Sequence, residues 1–148
     1  MSKIEKKFQK KPPIAQSGGN TTLRLLRAAC SGLIYMSETD SPIQAVAAAT
    51  IDADLLTWLR KDSGSPPDTR VEEISLDRFF GRLTRIEDWF GERETARAEA
   101  FKRLQNLLTA HLNDLCAYRL GEIDVRYYVV GRDATGRLLG IKTAAVET

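Results

Sequence analysis

Side chains that commonly carry covalent or metal chemistry are scarce in this chain. Its 148 residues include one histidine, His111, and two cysteines, Cys30 and Cys116, which form no C-x-x-C pair. A serine nucleophile needs a histidine base that a third group orients, and a structural metal site needs clustered ligands. We therefore expect no enzymatic activity and no cofactor or metal of the protein's own. We interpret the cysteines as buried free thiols in a reducing cytoplasm.

Charge is distributed unevenly along the chain. The net charge is +2, but residues 1–11 hold five lysines and one glutamate, so the remainder is mildly acidic. Basic tails can contact nucleic acid, but these lysines lack a stacking platform of aromatic residues, and we expect no direct nucleic-acid binding. The longest charge-free apolar run is Ser41–Ile51. It is shorter than the roughly 20 residues that a membrane-spanning helix needs, so we expect no membrane association.

The elements that must position any functional side chain begin after a polar segment. Residues 1–20 combine lysines with Pro12-Pro13 and Gly18-Gly19. This composition predicts a flexible basic leader, followed by one domain at 21–148. Apolar spacing predicts helices at 21–35, at 52–60 with Asp52 as N-cap, and at 92–113. Ser75 or Asp77 is expected to cap a further helical turn that runs through Phe80.

The strands are predicted from alternation and turn residues. Val71–Ile74 is a short strand candidate, and the alanine-rich stretch 43–50 fits either a helix by propensity or a strand because Pro42 favours extended geometry before it. From 116 onward, alternating apolar residues and a turn at 133–136 predict strands at 116–120, 123–130 and 138–146, arranged as an antiparallel meander. Helices with a mostly antiparallel sheet indicate an α+β fold.

Short segments spread over residues 22–148 form an ordered set. They are Gly32–Glu38 with Ser41-Pro42, Phe79–Arg82, Glu87–Phe90, Tyr118–Glu122, Val129–Gly131, Leu139–Thr143 and Val146–Thr148. In order and approximate spacing, this set resembles the nuclease A inhibitor family, small intracellular proteins that block sugar-non-specific DNA/RNA endonucleases. The stretch 43–70 matches poorly in residue identity. The lysine-rich leader and Glu87, where an uncharged amide is expected, depart from the family pattern.

The resemblance implies both a fold and a function. The fold would be a three-layer α-β-α sandwich similar to that of the pathogenesis-related PR-1 proteins, with 43–50 as a strand. The protein would be a cytoplasmic, non-catalytic inhibitor. It would form a one-to-one complex with a Mg²⁺-dependent, sugar-non-specific DNA/RNA endonuclease, block its active site, and have no small-molecule substrate.

The resemblance also implies which residues contact the nuclease. An acidic residue after the first helix, an acidic-aromatic pair in a central turn and the chain's C-terminus match Glu38, then Asp88 and Trp89, then Thr148. Glu87 and Glu147 extend this set. Carboxylates can replace phosphate because they pair with arginines bidentately, and oxygen donors suit Mg²⁺. Thr148 would contact the metal of the partner.

Each of these positions has a structural alternative. Glu38 could be a solvated loop carboxylate, and Asp88 could cap the helix that begins near Glu92. Trp89 could belong to the core, and the C-terminal Glu147-Thr148 could be a frayed end. A second function also stays open, in which the same fold serves as a protein–protein interaction module with a partner that is not a nuclease.

Overall fold

The structure is a computed structural model that describes the backbone of residues 15–148 and the side chains of residues 21–148. This part of the chain has four helices and antiparallel strands, so the α+β prediction is confirmed. None of these helices is long and apolar enough to cross a membrane. The helices are α1 (Ala15–Cys30), α2 (Leu55–Ser63), α3 (Leu76–Thr84) and α4 (Glu92–His111). The strands are β1 (Ile34–Tyr35), β2 (Ser41–Pro42), β3 (Gln44–Ala47), β4 (Val71–Ile74), β5 (Asn113–Leu120), β6 (Asp124–Arg132) and β7 (Leu138–Val146).

Five strands form one antiparallel sheet in the order β3-β7-β6-β5-β4, and β1 pairs with β2 in a separate two-stranded ribbon. The predicted meander corresponds to β5, β6 and β7, which pair consecutively. The alanine-rich stretch contains β3, which pairs with β7 from Gln44 opposite Lys142 to Ala47 opposite Leu139. Strand pairing therefore overrides the helix propensity of these alanines, as the family resemblance implies.

Apolar side chains pack on both faces of this sheet. Alternation along β6 sends Val125, Tyr127 and Val129 to one face and Tyr128 and Val130 to the other. The first set belongs to a cluster with buried residues of α1, α3 and α4, among them Leu26, Phe80 and Leu104. The second set packs with Leu59 of α2, accompanied by Trp58. The sheet is thus buried between α2 on one side and the other three helices on the other.

The first helix differs from the predicted one at both ends. It begins at Ala15, six residues before the predicted start, and it includes residues that we predicted to belong to the leader. The two glycines of this segment lower helix propensity by about 1 kcal/mol each, which a longer helix tolerates. Residues 1–14 of the leader lie outside the described residues. The helix ends at Cys30 rather than at 35 because Gly32 adopts a positive φ of 79°, which turns the chain into β1.

Other predicted boundaries are corrected by capping. Asp54, not Asp52, caps α2: its carboxylate accepts a hydrogen bond from the backbone N–H of Thr57 at 3.1 Å. Ser75 caps α3 as expected, since its hydroxyl accepts from the N–H of Arg78 at 3.0 Å. The long helix ends at His111, two residues early, because the chain enters β5 at Asn113.

Both cysteines are free thiols. Cys30 is buried in the larger core cluster, and burial raises the pKa of its thiol to about 11. Cys116 is only half-buried, which departs from the predicted full burial.

Candidate functional site

The end of the chain is held by backbone contacts on both sides. At the end of β7, the N–H of Val146 donates to the hydroxyl of Ser37 in the loop that follows β1, at 3.2 Å. The N–H of Glu147 donates to the carbonyl of Ile123 in the turn between β5 and β6, at 2.9 Å. That turn needs a glycine at 121, where φ is 92° and a Cβ would lie 2.4 Å from the carbonyl oxygen of Asp124. Two sequence-distant loops therefore hold the C-terminal segment, which argues against a frayed end.

The carboxylate of Glu147 points into the molecule. It accepts a hydrogen bond from Arg119 Nη2 at 2.8 Å and a short one from the hydroxyl of Tyr127. Arg119 also donates to the carbonyls of Gly121 and Glu122, at 2.9 and 3.2 Å. Arg119 thus ties the β5–β6 turn to the C-terminal segment, and Glu147 stabilises this arrangement from within the chain.

The protonation states in this network are fixed by its surroundings. Burial raises the pKa of Glu147, but hydrogen bonds from Tyr127 and Arg119 outweigh burial and hold the pKa below its ordinary value. Burial, with the hydrogen bond to Glu147, raises the pKa of Tyr127 to about 12. The ring of Tyr127 packs against Tyr35 and Phe79, with centroids 5.6 Å away in each case. An ionised carboxylate and a neutral phenol are therefore the stable pair.

Glu38 and Thr148 contact each other at the surface. Glu38 Oε2 accepts hydrogen bonds from the N–H of Thr148 at 3.1 Å and from its hydroxyl at 2.5 Å. Within the same loop, the hydroxyl of Ser37 donates to the carbonyl of Thr39 at 2.7 Å. Both Glu38 and Thr148 are exposed. The fold thus brings together two residues that lie 110 positions apart in the sequence. Their carboxylate and hydroxyl oxygens are adjacent at the surface.

The loop between α3 and α4 presents an exposed tryptophan. Trp89 is 75% exposed, so it is not a core residue. Its ring meets Phe90 edge-on, with centroids 4.7 Å apart. A turn closed by the N–H of Phe90 and the carbonyl of Glu87, 3.1 Å apart, fixes the loop. The side chain of Glu87 lies 3.8 Å from Arg85, while Asp88 is exposed and has no hydrogen-bond or ion-pair partner among residues 21–148.

The capping role that we considered for Asp88 belongs to other residues. The N-cap of α4 is Gly91, whose N–H donates to Glu94 Oε1 at 3.1 Å. Because Glu94 provides the side-chain hydrogen bond at the start of α4, Asp88 has no capping role in the described part of the chain. Its exposed carboxylate is available to a partner.

The end of α3 connects the two loops. Arg82 Nη2 donates to the carbonyl of Met36 at 3.1 Å, and its guanidinium lies 5.0 Å above the ring of Tyr35. Met36 and Phe90 line one shallow groove of about 90 Å³. Met36 is 40% exposed, and Ile86, in the loop after α3, is 52% exposed. The Glu38 loop and the Trp89 loop are therefore parts of one surface region, which we name the acidic–aromatic surface: Glu38, Thr148, Glu87, Asp88 and Trp89.

Sequence reasoning did not identify the residues that support this surface, namely Ser37, Arg82, Arg119 and Tyr127. One signal was present for Tyr127. Tyr127 alternates with Val125 and Val129 on the buried face of an apolar strand. A buried tyrosine hydroxyl usually needs a hydrogen-bond partner.

The arrangement is suited to binding a partner. Among residues 21–148, no group of three or more histidine, cysteine, aspartate or glutamate side chains is placed to hold a metal ion. Exposed carboxylates beside an exposed aromatic ring can pair with cationic groups of a partner and fill an apolar pocket on it.

Comparison with known proteins identifies the family. No curated protein is significantly similar to the chain in sequence. A family model described as nuclease A inhibitor-like protein matches residues 20–148, which is nearly the whole chain. The chain therefore belongs to the nuclease A inhibitor-like protein family.

Proposed function

We propose that this protein is a non-catalytic inhibitor of a Mg²⁺-dependent, sugar-non-specific DNA/RNA endonuclease. The observation that carries the proposal is the acidic–aromatic surface, in which Glu38 and Thr148 are hydrogen-bonded to each other and Trp89 is three quarters exposed. Family membership supplies the class of partner. The complex is one-to-one, and its interface would bury about 1,600 Å² in total, the standard size for a specific complex.

The mechanism assigns different roles to the two parts of the surface. A nuclease cleft is basic because it grips phosphates, so Glu38, Glu87 and Asp88 steer the encounter and pair with its cations. Trp89 inserts into a pocket of the partner as an anchor, a role in which tryptophan is enriched. The partner cannot then bind nucleic acid in the covered cleft.

The C-terminal residue acts at the metal of the partner. Thr148 offers hydroxyl and carboxylate oxygens, the donors that Mg²⁺ prefers, and bound Mg²⁺ usually keeps waters that such donors can replace. Glu38 holds Thr148 in place through Oε2. Glu147 belongs to this mechanism as the residue that anchors the segment, since its carboxylate is engaged by Arg119 and Tyr127.

We also propose the finer architecture and the location. The packing of α2 on one face of the sheet and of three helices on the other supports a three-layer α-β-α sandwich similar to PR-1 proteins. Two free cysteines fit a reducing cytoplasm.

Titration of a Mg²⁺-dependent non-specific endonuclease with this protein tests the proposal. DNA and RNA cleavage should both fall to background near one equivalent, and the protein alone should cleave neither. Glu38→Gln and Asp88→Asn should slow association in a salt-dependent way. The matched control is Glu99→Gln on α4, an exposed carboxylate outside the surface. Undiminished cleavage at tenfold excess of the protein contradicts the proposal.

One observation favours a second function on the same surface. The groove between Met36 and Phe90 is lined by Arg82, Arg85 and Arg97, so the region carries positive as well as negative charge. A partner with exposed acidic and apolar groups fits this mixture better than a uniformly basic cleft does. Two results together would support this interaction module instead. The protein would bind a partner stably at one-to-one stoichiometry without inhibiting any nuclease, and Arg85→Gln would abolish that binding.

A further inference from the structure

A polar cavity of about 230 Å³ lies on the face of the sheet that α2 covers. Gln44, Lys142 and Tyr128 form one cross-strand row along its floor, because Lys142 is in register with both of the others. Arg126 lies two residues before Tyr128 on the same strand and therefore on the same face. The end of α2 supplies Asp62 at the wall. No residue of the acidic–aromatic surface lines this cavity, so it is separate from the proposed inhibitory site.

Among the described residues, Asp62 is the only carboxylate that lines the cavity, and it is already engaged. Asp62 Oδ2 accepts hydrogen bonds from the hydroxyl of Tyr128 at 2.6 Å and from Lys142 Nζ at 3.0 Å. These contacts also fix the position of the ammonium group, whose side chain is 31% exposed. An ammonium has three N–H donors, so two donors of Lys142 remain available to a ligand.

Arg126 and Gln44 bring further hydrogen-bond donors to the cavity. Arg126 forms no hydrogen bond or ion pair with any described residue, and its guanidinium has five N–H donors. Gln44 adds an amide with two more. Among the described residues of the lining, two cations against one carboxylate give a net charge of +1. A cavity with unused donors and net positive charge is suited to an oxyanion.

We propose that this cavity binds a small oxyanion, a phosphate or carboxylate group, between Arg126 and Lys142. The planar guanidinium of Arg126 pairs with two oxygens of the anion, and the ammonium of Lys142 acts as a point charge on a third contact. Asp62 and Tyr128 position Lys142 and do not contact the anion. The cavity is larger than a phosphate ion, so it has room for a small molecule that carries this group.

Titration with inorganic phosphate, followed by backbone amide NMR at constant ionic strength, tests the site. Saturable chemical-shift changes are expected at residues 126–128 and 142–144. Arg126→Gln should raise the dissociation constant for phosphate at least tenfold. Arg103→Gln, which removes an exposed arginine of α4, should bind phosphate as the unchanged protein does. Acetate forms the second arm: saturation by phosphate alone identifies a phosphate ligand, and saturation by acetate as well identifies the wider oxyanion class.

Two results overturn the proposal. One is the absence of saturable shifts in the unchanged protein with either anion. The other is equal affinity for phosphate in Arg126→Gln and in the unchanged protein, which would place the anion elsewhere. Arg126 is exposed and has no described partner, so its replacement leaves the fold intact and either result is decisive.

Discussion

Replacement of Glu147 by alanine should destabilise the protein even when no partner is present. The carboxylate accepts hydrogen bonds from Arg119 and from Tyr127, and both donors are largely buried, with the Arg119 side chain 17% exposed. Hydrogen bonds that involve a charged group contribute about 1.5–3 kcal/mol. Because the Glu147 side chain is itself 35% exposed, we expect a loss of about 2 kcal/mol. In a domain near this size, that corresponds to a Tm lower by about 4–8 °C.

Thermal unfolding followed by circular dichroism at neutral pH measures this effect. Glu122→Ala is the matched control, since Glu122 is an exposed glutamate in the adjacent turn and only its backbone carbonyl is used by Arg119. The control should unfold within about 1 °C of the unchanged protein, because surface substitutions away from such contacts have small effects. A Glu147→Ala variant as stable as the control would refute the anchoring role and return Glu147 to the partner-binding residues.

Acid titration of the same variants gives an independent check. The folded state lowers the pKa of Glu147 from its ordinary value of 4.5, so the folded state binds this proton less readily than the unfolded chain does. The stabilisation is therefore present above pH 4.5 and is lost as the pH falls through the lower folded pKa. The Tm difference between the unchanged protein and Glu147→Ala should shrink on acidification. A difference that stays constant from pH 7 to pH 3 contradicts an ionised anchor.

Three further outcomes follow from the described contacts. Trp89→Ala should leave the Tm unchanged, because the ring is exposed. It should weaken nuclease binding by about 2 kcal/mol, which calorimetry would show as a dissociation constant about 30-fold higher. The control is Ile51→Ala, which removes an exposed apolar side chain outside the surface and should leave binding intact. Tyr127→Phe should reduce the loss of stability that the unchanged protein shows as the pH rises from 10 to about 12, because the folded state raises the pKa of Tyr127 from 10.0 to about 12. Gly121→Ala should lower the Tm by several degrees in calorimetric scans, because a Cβ would clash with the carbonyl of Asp124.

Local sequence patterns predicted which helices and strands exist better than they predicted where each begins and ends. The meander was predictable because Val125, Tyr127 and Val129 alternate with residues of the opposite face. The end of α1 was not, because an apolar stripe continues through Leu33 while the positive φ of Gly32 ends the helix. The composition of 43–50 is compatible with either a helix or a strand. Pairing with β7, about 95 residues later in the chain, makes it a strand, and a local sequence pattern cannot predict such distant pairing.

The candidate site shows the same division. Trp89 stood among charged residues in a turn, and that setting agrees with its exposure. The inward orientation of Glu147 could not be read from the sequence, because it depends on Arg119 and Tyr127 from two other strands. Asp88 fitted an N-cap by residue type, but Gly91 and Glu94 lie closer to the first turn of α4 and take that position.

The contacts between residues 37–38 and 146–148 span 109 and 110 positions of the chain, which makes the binding surface a product of global folding. Closing so long a loop carries an entropic cost that only the completed sheet offsets. Contacts of this sequence separation also slow folding, because the loop must close before the contacts stabilise it. A partially folded chain or a short peptide copied from either segment therefore lacks the paired Glu38 and Thr148. Recognition by a partner consequently reports on the integrity of the whole domain.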